Sequence, residues 1–253
     1  MIDLVVSNLS YEIRGTLLVK NASFRLNQGE LVVLLGPNGA GKTLLLRNAL
    51  GLQKPKSGQA LLAGDDTTTL SPPLRARRIS YLPQTRPMAW PTLVRDVVAL
   101  GRFSYGAAPS RLNSEDAKEV ETAIAACDIS HLAHRTVDSL SGGELARVHC
   151  ARAFAADTPL LIADEPVAAL DLRHQFRVMD LCRAYVKNGG GAMIVLHDVA
   201  LAARYADRLV WMKDGEIVAD GPPSATLSSD RIAELYRVQA SVHGDKVDVE
   251  GIL

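Results

Sequence analysis

The sequence predicts an α/β fold with a mainly parallel central sheet, an N-terminal antiparallel β-subdomain and an inserted α-helical subdomain. Three observations predict it. The apolar runs Leu31-Val32-Val33-Leu34-Leu35, Leu160-Leu161-Ile162-Ala163 and Met193-Ile194-Val195-Leu196 have the length of strands buried on both faces. Helical stretches lie between such runs, as crossover connections of a parallel sheet require. A glycine-rich loop, GPNGAGKT, follows the first run and opens a helix.

Each element follows in order. Ile2, Leu4 and Val6, then Phe24 and Leu26, alternate as half-buried antiparallel strands with a turn near Arg14-Gly15. The run at 31–35 leads into the glycine loop and a helix carrying Leu44, Leu45, Leu46, Ala49 and Leu50, which stops at Gly51. Residues 85–150 read as helical. Thr92 is placed to cap a helix with Val94, Val97 and Val98, and Asn113 or Ser114 to cap one with Ala117, Val120, Ile124 and Cys127 on one face. The β runs then return at 160–163, 193–196 and 209–212, and the tail from about Ser241 is weakly patterned. The 253 residues are expected to form a single domain, with a catalytic core in 1–84 and 151–253 and a helical subdomain in about 85–150.

Composition narrows the classes. Lys plus Arg and Asp plus Glu both number 28, so no basic excess points to a nucleic-acid partner. No apolar run approaches the ~20 residues that cross a bilayer. The start, Met1-Ile2-Asp3-Leu4, lacks the basic-then-apolar pattern of a signal peptide. Three scattered cysteines, Cys127, Cys150 and Cys182, suit a reduced cytoplasmic protein with free, mostly buried thiols. Cys127, His131 and His134 have metal-like spacing, but no fourth ligand is near and the helix is expected to break at 128–130.

The chemistry lies in ordered motifs. Gly36, Pro37, Asn38, Gly39, Ala40, Gly41, Lys42 and Thr43 match G-x-x-x-x-G-K-[ST], the phosphate loop of P-loop NTPases, in the strand-loop-helix context that supports it. Backbone N–H groups of residues 39–43 would surround phosphate oxygens, Lys42 would meet the β- and γ-phosphates, and the Thr43 hydroxyl would ligate Mg²⁺. Asp164 and Glu165 end a strand at the carboxyl edge, where ligands of parallel sheets collect. Asp164 suits the Mg²⁺ side through water, and Glu165 suits a general base. His197 ends another strand at that edge and suits a γ-phosphate contact; the Gln84 amide can bind Mg²⁺ or water.

Leu140-Ser141-Gly142-Gly143-Glu144 poses a separate question. Ser-x-x-Glu before an apolar run is a capping box, with Leu145 and Val148 opening the buried face. Two glycines in a first helical turn cost stability, roughly 1 kcal/mol each relative to alanine in a helix interior. The bare N–H groups of Gly142 and Gly143 therefore need a purpose of their own.

These motifs, in this order, resemble the nucleotide-binding subunit of an ABC transporter, over nearly the whole chain. The resemblance implies Walker A at 36–43, a Q-loop at Gln84, the ABC signature at 140–144, Walker B at 160–165, a D-loop at Ala169-Leu170-Asp171 for communication between subunits, and a switch histidine at His197. It implies Tyr11 stacking on adenine, with ATP and Mg²⁺ as cofactors. ATP is then clamped in a head-to-tail dimer, a homodimer as the simplest case. Ser141, Gly142 and Gly143 of one subunit, with Glu144 closing the capping box, serve the γ-phosphate bound by the other. Leu44 stands where the family usually has Ser or Thr, Ala168 where Ser or Thr is common before the D-loop, and Leu145 and Ala146 replace polar residues after the signature. The core catalytic positions are all present, so hydrolysis is expected.

The stretches VVALGRFSYG and HDVALAARYADR resemble the subclass that imports iron–siderophore complexes, haem or cobalamin, although Ser104-Tyr105 stands where many members carry Pro-His. That implies a separate transmembrane permease, a periplasmic or extracellular solute-binding protein acting indirectly, and a peripheral place on the cytoplasmic face of the inner membrane. The region 85–110 would receive the permease, with Trp90 and Phe103 either contacting it or lying in an ordinary core. The alternative is a soluble ABC ATPase acting in assembly or repair. Fused copies or a coiled-coil insertion would favour it, and copurification with a membrane protein would discriminate.

Overall fold

The computed structural model describes residues 2–84, 90–109 and 111–253. Residues 85–89 and Ser110, part of the expected permease-facing region, lie outside them. The chain divides into two compact units, Met1–Leu70 with Gly191–Leu253, and Ser71–Gly190.

In the first unit an antiparallel sheet runs in the order Thr16–Asn27, Asp3–Ile13, Ser57–Leu62, Asp65–Asp66. Its hairpin closes at Arg14 and Gly15, both at positive φ, where the sequence placed the turn. A second set of strands runs in the order Glu216–Gly221, Arg208–Lys213, Leu31–Leu35, Gly191–Val195. Leu31–Leu35 is parallel to both its neighbours, and all five of its residues are buried. A strand with no solvent face has no polar positions to alternate with, which is why it reads as a continuous apolar run. Its carboxyl end and that of Gly191–Val195 lie at one edge, so Gly36 and His197 emerge there together.

The second unit contains the parallel pair Ile79–Leu82 and Leu160–Asp164, in register Ile79 to Leu160. Helices Pro72–Arg78, Val94–Ala99, Ser114–Ala126, Gly142–Ala155 and Leu172–Lys187 accompany it. Asn113, rather than Ser114, caps its helix, accepting from the Asp116 N–H at 2.8 Å. Arg102 and Asp116 form a buried ion pair at 2.8 Å, and Arg102 Nη1 also donates to the Ala155 carbonyl at 3.2 Å. Removing one partner of such a pair strands a buried charge, at a cost of about 3–5 kcal/mol. Cys127, Cys150 and Cys182 are free and buried, and burial pushes the Cys127 and Cys182 thiols upward.

Two expectations need correction, and two open points are settled. Thr92 does not cap: the first helical amides are already satisfied, Val94 N–H by the Arg135 carbonyl at 2.9 Å and Arg95 N–H by Ala133 at 3.1 Å. Leu145 is only half-buried, and the core face of the signature helix begins at Ala146. The tail is an antiparallel hairpin, Val238–His243 with Lys246–Ile252. Its second strand is almost wholly exposed, so alternation left little trace in the sequence. Trp90 and Phe103 are not core aromatics, being 70% and 71% exposed.

Candidate nucleotide-binding site

Residues 36–41 form the turn between the strand Leu31–Leu35 and the helix Lys42–Ala49. The backbone there is one that only glycine adopts without strain. Gly36 has φ 151°, and a Cβ on it would lie 2.1 Å from the Met212 carbonyl oxygen. Gly41, the helix N-cap, has φ 98°, and its Cβ would lie 2.7 Å from the Leu18 carbonyl oxygen. Both glycines are demanded by backbone packed against backbone. Lys42 is 6% exposed, and its Nζ donates to the carbonyls of Gly36 at 2.6 Å and Pro37 at 3.0 Å. The ammonium is thus held across its own loop. Thr43 is half-buried in the first turn, while Asn38 and Gly39 are exposed and Ala40 is buried.

His197 lies exposed just beyond the strand Gly191–Val195. It lines a cavity of about 470 Å³ with Pro37, Asn38, Leu235, Tyr236 and Arg237. The structure therefore brings His197 to the phosphate loop, as its strand end predicted. Tyr11 is half-buried in the strand Asp3–Ile13, paired with Val19 across the hairpin.

The second unit carries the other motif residues. Gln84 is exposed shortly after Ile79–Leu82, and Asp164 ends the parallel neighbour Leu160–Asp164 with no exposed surface. Glu165 follows in the left-handed region at φ 51°. A non-glycine residue there carries strain of about 1–3 kcal/mol, which persists where surrounding structure imposes it and is common at active sites. Asp171 caps the helix Leu172–Lys187 by accepting from the His174 N–H at 2.9 Å, and its side chain meets His174 Nδ1 at 2.8 Å. The His174 backbone and side chain hold the Asp171 carboxyl below its usual range.

Ser141, Gly142, Gly143 and Glu144 open the helix Gly142–Ala155. The capping box is complete: Ser141 N–H donates to Glu144 Oε2 at 2.8 Å, and Glu144 N–H to Ser141 Oγ at 3.3 Å. The Ser141 backbone and hydroxyl hold the Glu144 carboxyl below its usual range. Neither glycine lies in the left-handed region. A Cβ on Gly142 would meet nothing within 4 Å, and one on Gly143 would come no closer than 3.5 Å, to the Ala169 carbonyl oxygen.

Sequence reasoning missed Tyr236 and Arg237. Tyr236 ends the helix Ser229–Tyr236, and its hydroxyl accepts a hydrogen bond from the Gly36 N–H at 3.0 Å. No local signal foretells a contact across 200 positions.

A glycine loop between a buried parallel strand and a helix, closed over by its own lysine, defines a P-loop nucleotide-binding protein. The family model described as ABC transporter matches residues 19–168, and the chain belongs to that family. It is 44% identical over 214 residues to a hemin import ATP-binding protein from Nocardia farcinica, covering 85% of this chain and 74% of that one. It is 38% identical over 242 residues to a cobalamin import ATP-binding protein from Halobacterium salinarum, covering 95% of this chain and 60% of that one. Among solved structures, a dimeric ATP-binding cassette in a post-hydrolysis state with ADP and phosphate superposes with a TM-score of 0.76 at 26% identity, over 87% of this chain and 98% of the other. The chain is an ATP hydrolase of the ABC type.

Proposed function

We propose that this chain is the ATP-hydrolysing subunit of an importer for a haem- or cobalamin-like metal chelate, working as a head-to-tail dimer on a separate permease. The observation that carries the reading is the glycine pair of the signature. Within its own subunit nothing requires glycine at 142 or 143: a Cβ would meet open space at the first and ordinary contact at the second, and neither φ is left-handed. Yet both positions forgo the helix stability that alanine supplies. Bare N–H groups at a helix N-terminus are anion ligands, so the constraint comes from a phosphate outside the subunit. A second copy's nucleotide would supply one, and a dimeric cassette bound to ADP and phosphate is among the similar structures.

In this reading the loop amides and Lys42 hold the β- and γ-phosphates, and Tyr11 stacks on the adenine. Glu165 accepts a proton from the attacking water, and His197 steadies the γ-phosphate. The residues present fit Mg²⁺. Asp164 is a fully buried carboxylate at a strand end, Thr43 offers a hydroxyl and Gln84 an exposed amide oxygen, all oxygen donors of the kind a hard cation takes. When bound, Mg²⁺ would neutralise charge on the β- and γ-oxygens. Asp171, fixed as a helix cap, stands ready to relay closure between copies.

Import through a partner rests on two further observations. No helix among the described residues is long and apolar enough to cross a membrane, and in this reading the transport path is the permease's. Trp90 and Leu93, ahead of the helix Val94–Ala99, and Leu100 and Phe103, in the helical turns after it, are each exposed. The hemin and cobalamin relatives indicate the solute class. The subunit would then sit at the cytoplasmic face of the membrane. Reconstitution with the permease and a solute-binding protein, offering siderophore, haem and cobalamin in turn, tests this. ATP-dependent uptake of one of them is expected. Failure to associate with any membrane protein would overturn the transport reading in favour of a soluble ATPase.

A further inference from the structure

We propose that the C-terminal helix is a working part of the nucleotide site: Tyr236 is a positioning residue that anchors the first amide of the phosphate loop. Four observations build the case. First, the helix Ser229–Tyr236 is firmly seated. Ser228 caps it, accepting from the Arg231 N–H at 3.2 Å, and Ile232 and Leu235 are 1% and 5% exposed. Its last residue is therefore a fixed point rather than a loose end.

Second, the contact is specific. The Tyr236 hydroxyl oxygen accepts from Gly36 N–H at 3.0 Å. Burial raises this phenol to about 12, so the hydroxyl is neutral throughout the working pH range and keeps its own proton to donate.

Third, the Gly36 residue is held from both sides. Its N–H goes to Tyr236, and its carbonyl accepts from Lys42 Nζ at 2.6 Å. The Lys42 ammonium is the group that phosphates draw toward themselves. When it turns to a phosphate, the carbonyl loses that partner and Tyr236 remains as the anchor of the residue. Gly36 has little room to shift in compensation, because its α-carbon already faces the Met212 carbonyl.

Fourth, Tyr236 shares the cavity of about 470 Å³ with Asn38 of the loop and with His197. A water or phosphate oxygen at that edge would find the phenol proton available. The anchor thus lies beside the same cavity as the loop residue Asn38 and His197.

A loop held in its binding geometry spends less of the nucleotide's interaction energy on ordering, so the effect belongs in affinity more than in the chemical step. Tyr236→Phe keeps the ring and deletes only the acceptor. In the purified full chain we expect the KM for ATP to rise about 3- to 10-fold, the low end of what an unsatisfied amide costs when water can partly replace its partner. The kcat should change by less than about twofold and the melting temperature by less than about 2 °C. In ¹H–¹⁵N spectra the Gly36 amide proton should move upfield and exchange faster, a signature that general loosening would not confine to one residue. An unchanged KM with an unmoved Gly36 resonance would overturn the proposal, as would a fall in kcat and melting temperature without a change in KM. Lys42→Ala separates this from the site assignment. If Lys42→Ala abolishes nucleotide binding while Tyr236→Phe does nothing, the anchor alone is wrong. If Lys42→Ala leaves binding intact, residues 36–43 are not the phosphate site and the proposal falls with them.

Discussion

The glycines of the phosphate loop and those of the signature obey different masters. At Gly36 and Gly41 the chain itself forbids a side chain: φ is positive, and a Cβ would press to 2.1 and 2.7 Å of backbone oxygens. At Gly142 and Gly143 the subunit would accept alanine without a clash. The loop glycines are required by the fold, whereas nothing within the subunit requires the signature glycines, and the proposed dimer would supply their cause. A glycine whose absence of side chain has no internal cause marks an interface more sharply than one the backbone demands.

The largest expected effect removes chemistry while leaving the interface in place. Glu165→Gln should cut ATP turnover by about 10²- to 10⁴-fold, the usual value of a positioned general base, while ATP binding persists. Sedimentation of this variant with Mg-ATP should reveal a dimer. Wild-type turnover would remove Glu165 from the mechanism. Gly36→Ala comes next and acts on the fold: strain plus a backbone clash should cost about 3 kcal/mol, and the melting temperature should drop by several degrees in calorimetry.

Gly142→Ala is the sharpest test of the contrast, because stability and activity should part company. The isolated subunit should gain up to about 0.5 kcal/mol as a flexible residue is replaced in open helical space. Turnover should fall at least about tenfold, as the new methyl crowds the anion-binding N-terminus. In the Glu165→Gln background, dimerisation should weaken as well. A variant that is both less stable and fully active would reverse the comparison.

The smallest effect is in pH. The Ser141 groups lower the Glu144 carboxyl from its ordinary value. A depressed folded-state pKa contributes stability above the unfolded value, near 4.5, and that contribution fades as pH falls through the folded value. Melting curves of wild type and Glu144→Gln should therefore differ most near neutrality and converge only once pH has fallen below the lowered carboxyl value. A constant difference across that range would show that the capping box does not depend on the carboxylate.

Much of this molecule could be read before it was folded. Strands buried on both faces announce themselves as apolar runs, so Leu31–Leu35 and Leu160–Asp164 were plain. Motifs whose chemistry needs neighbouring residues, such as 36–43 and 140–144, are local by construction, and so is the capping box of Ser141 and Glu144. The hairpin at 238–252 was not legible, because with Ala240 its one buried residue it carries almost no hydrophobic alternation. Whether Trp90 and Phe103 faced core or solvent was equally hidden, since aromatic residues fit both places and only packing decides.

By itself the sequence determined the class, the alternation of buried strands with helices, and the motif residues proposed to meet phosphate, since periodicity and motif spacing are properties of consecutive positions. The tertiary structure alone decided which glycines are sterically obligatory, how Thr92 lost its cap to the amides' partners at Ala133 and Arg135, and that Tyr236 reaches back to Gly36. Each of these depends on atoms that folding brings within a few ångströms from distant parts of the chain, and no pattern in neighbouring residues encodes such a meeting.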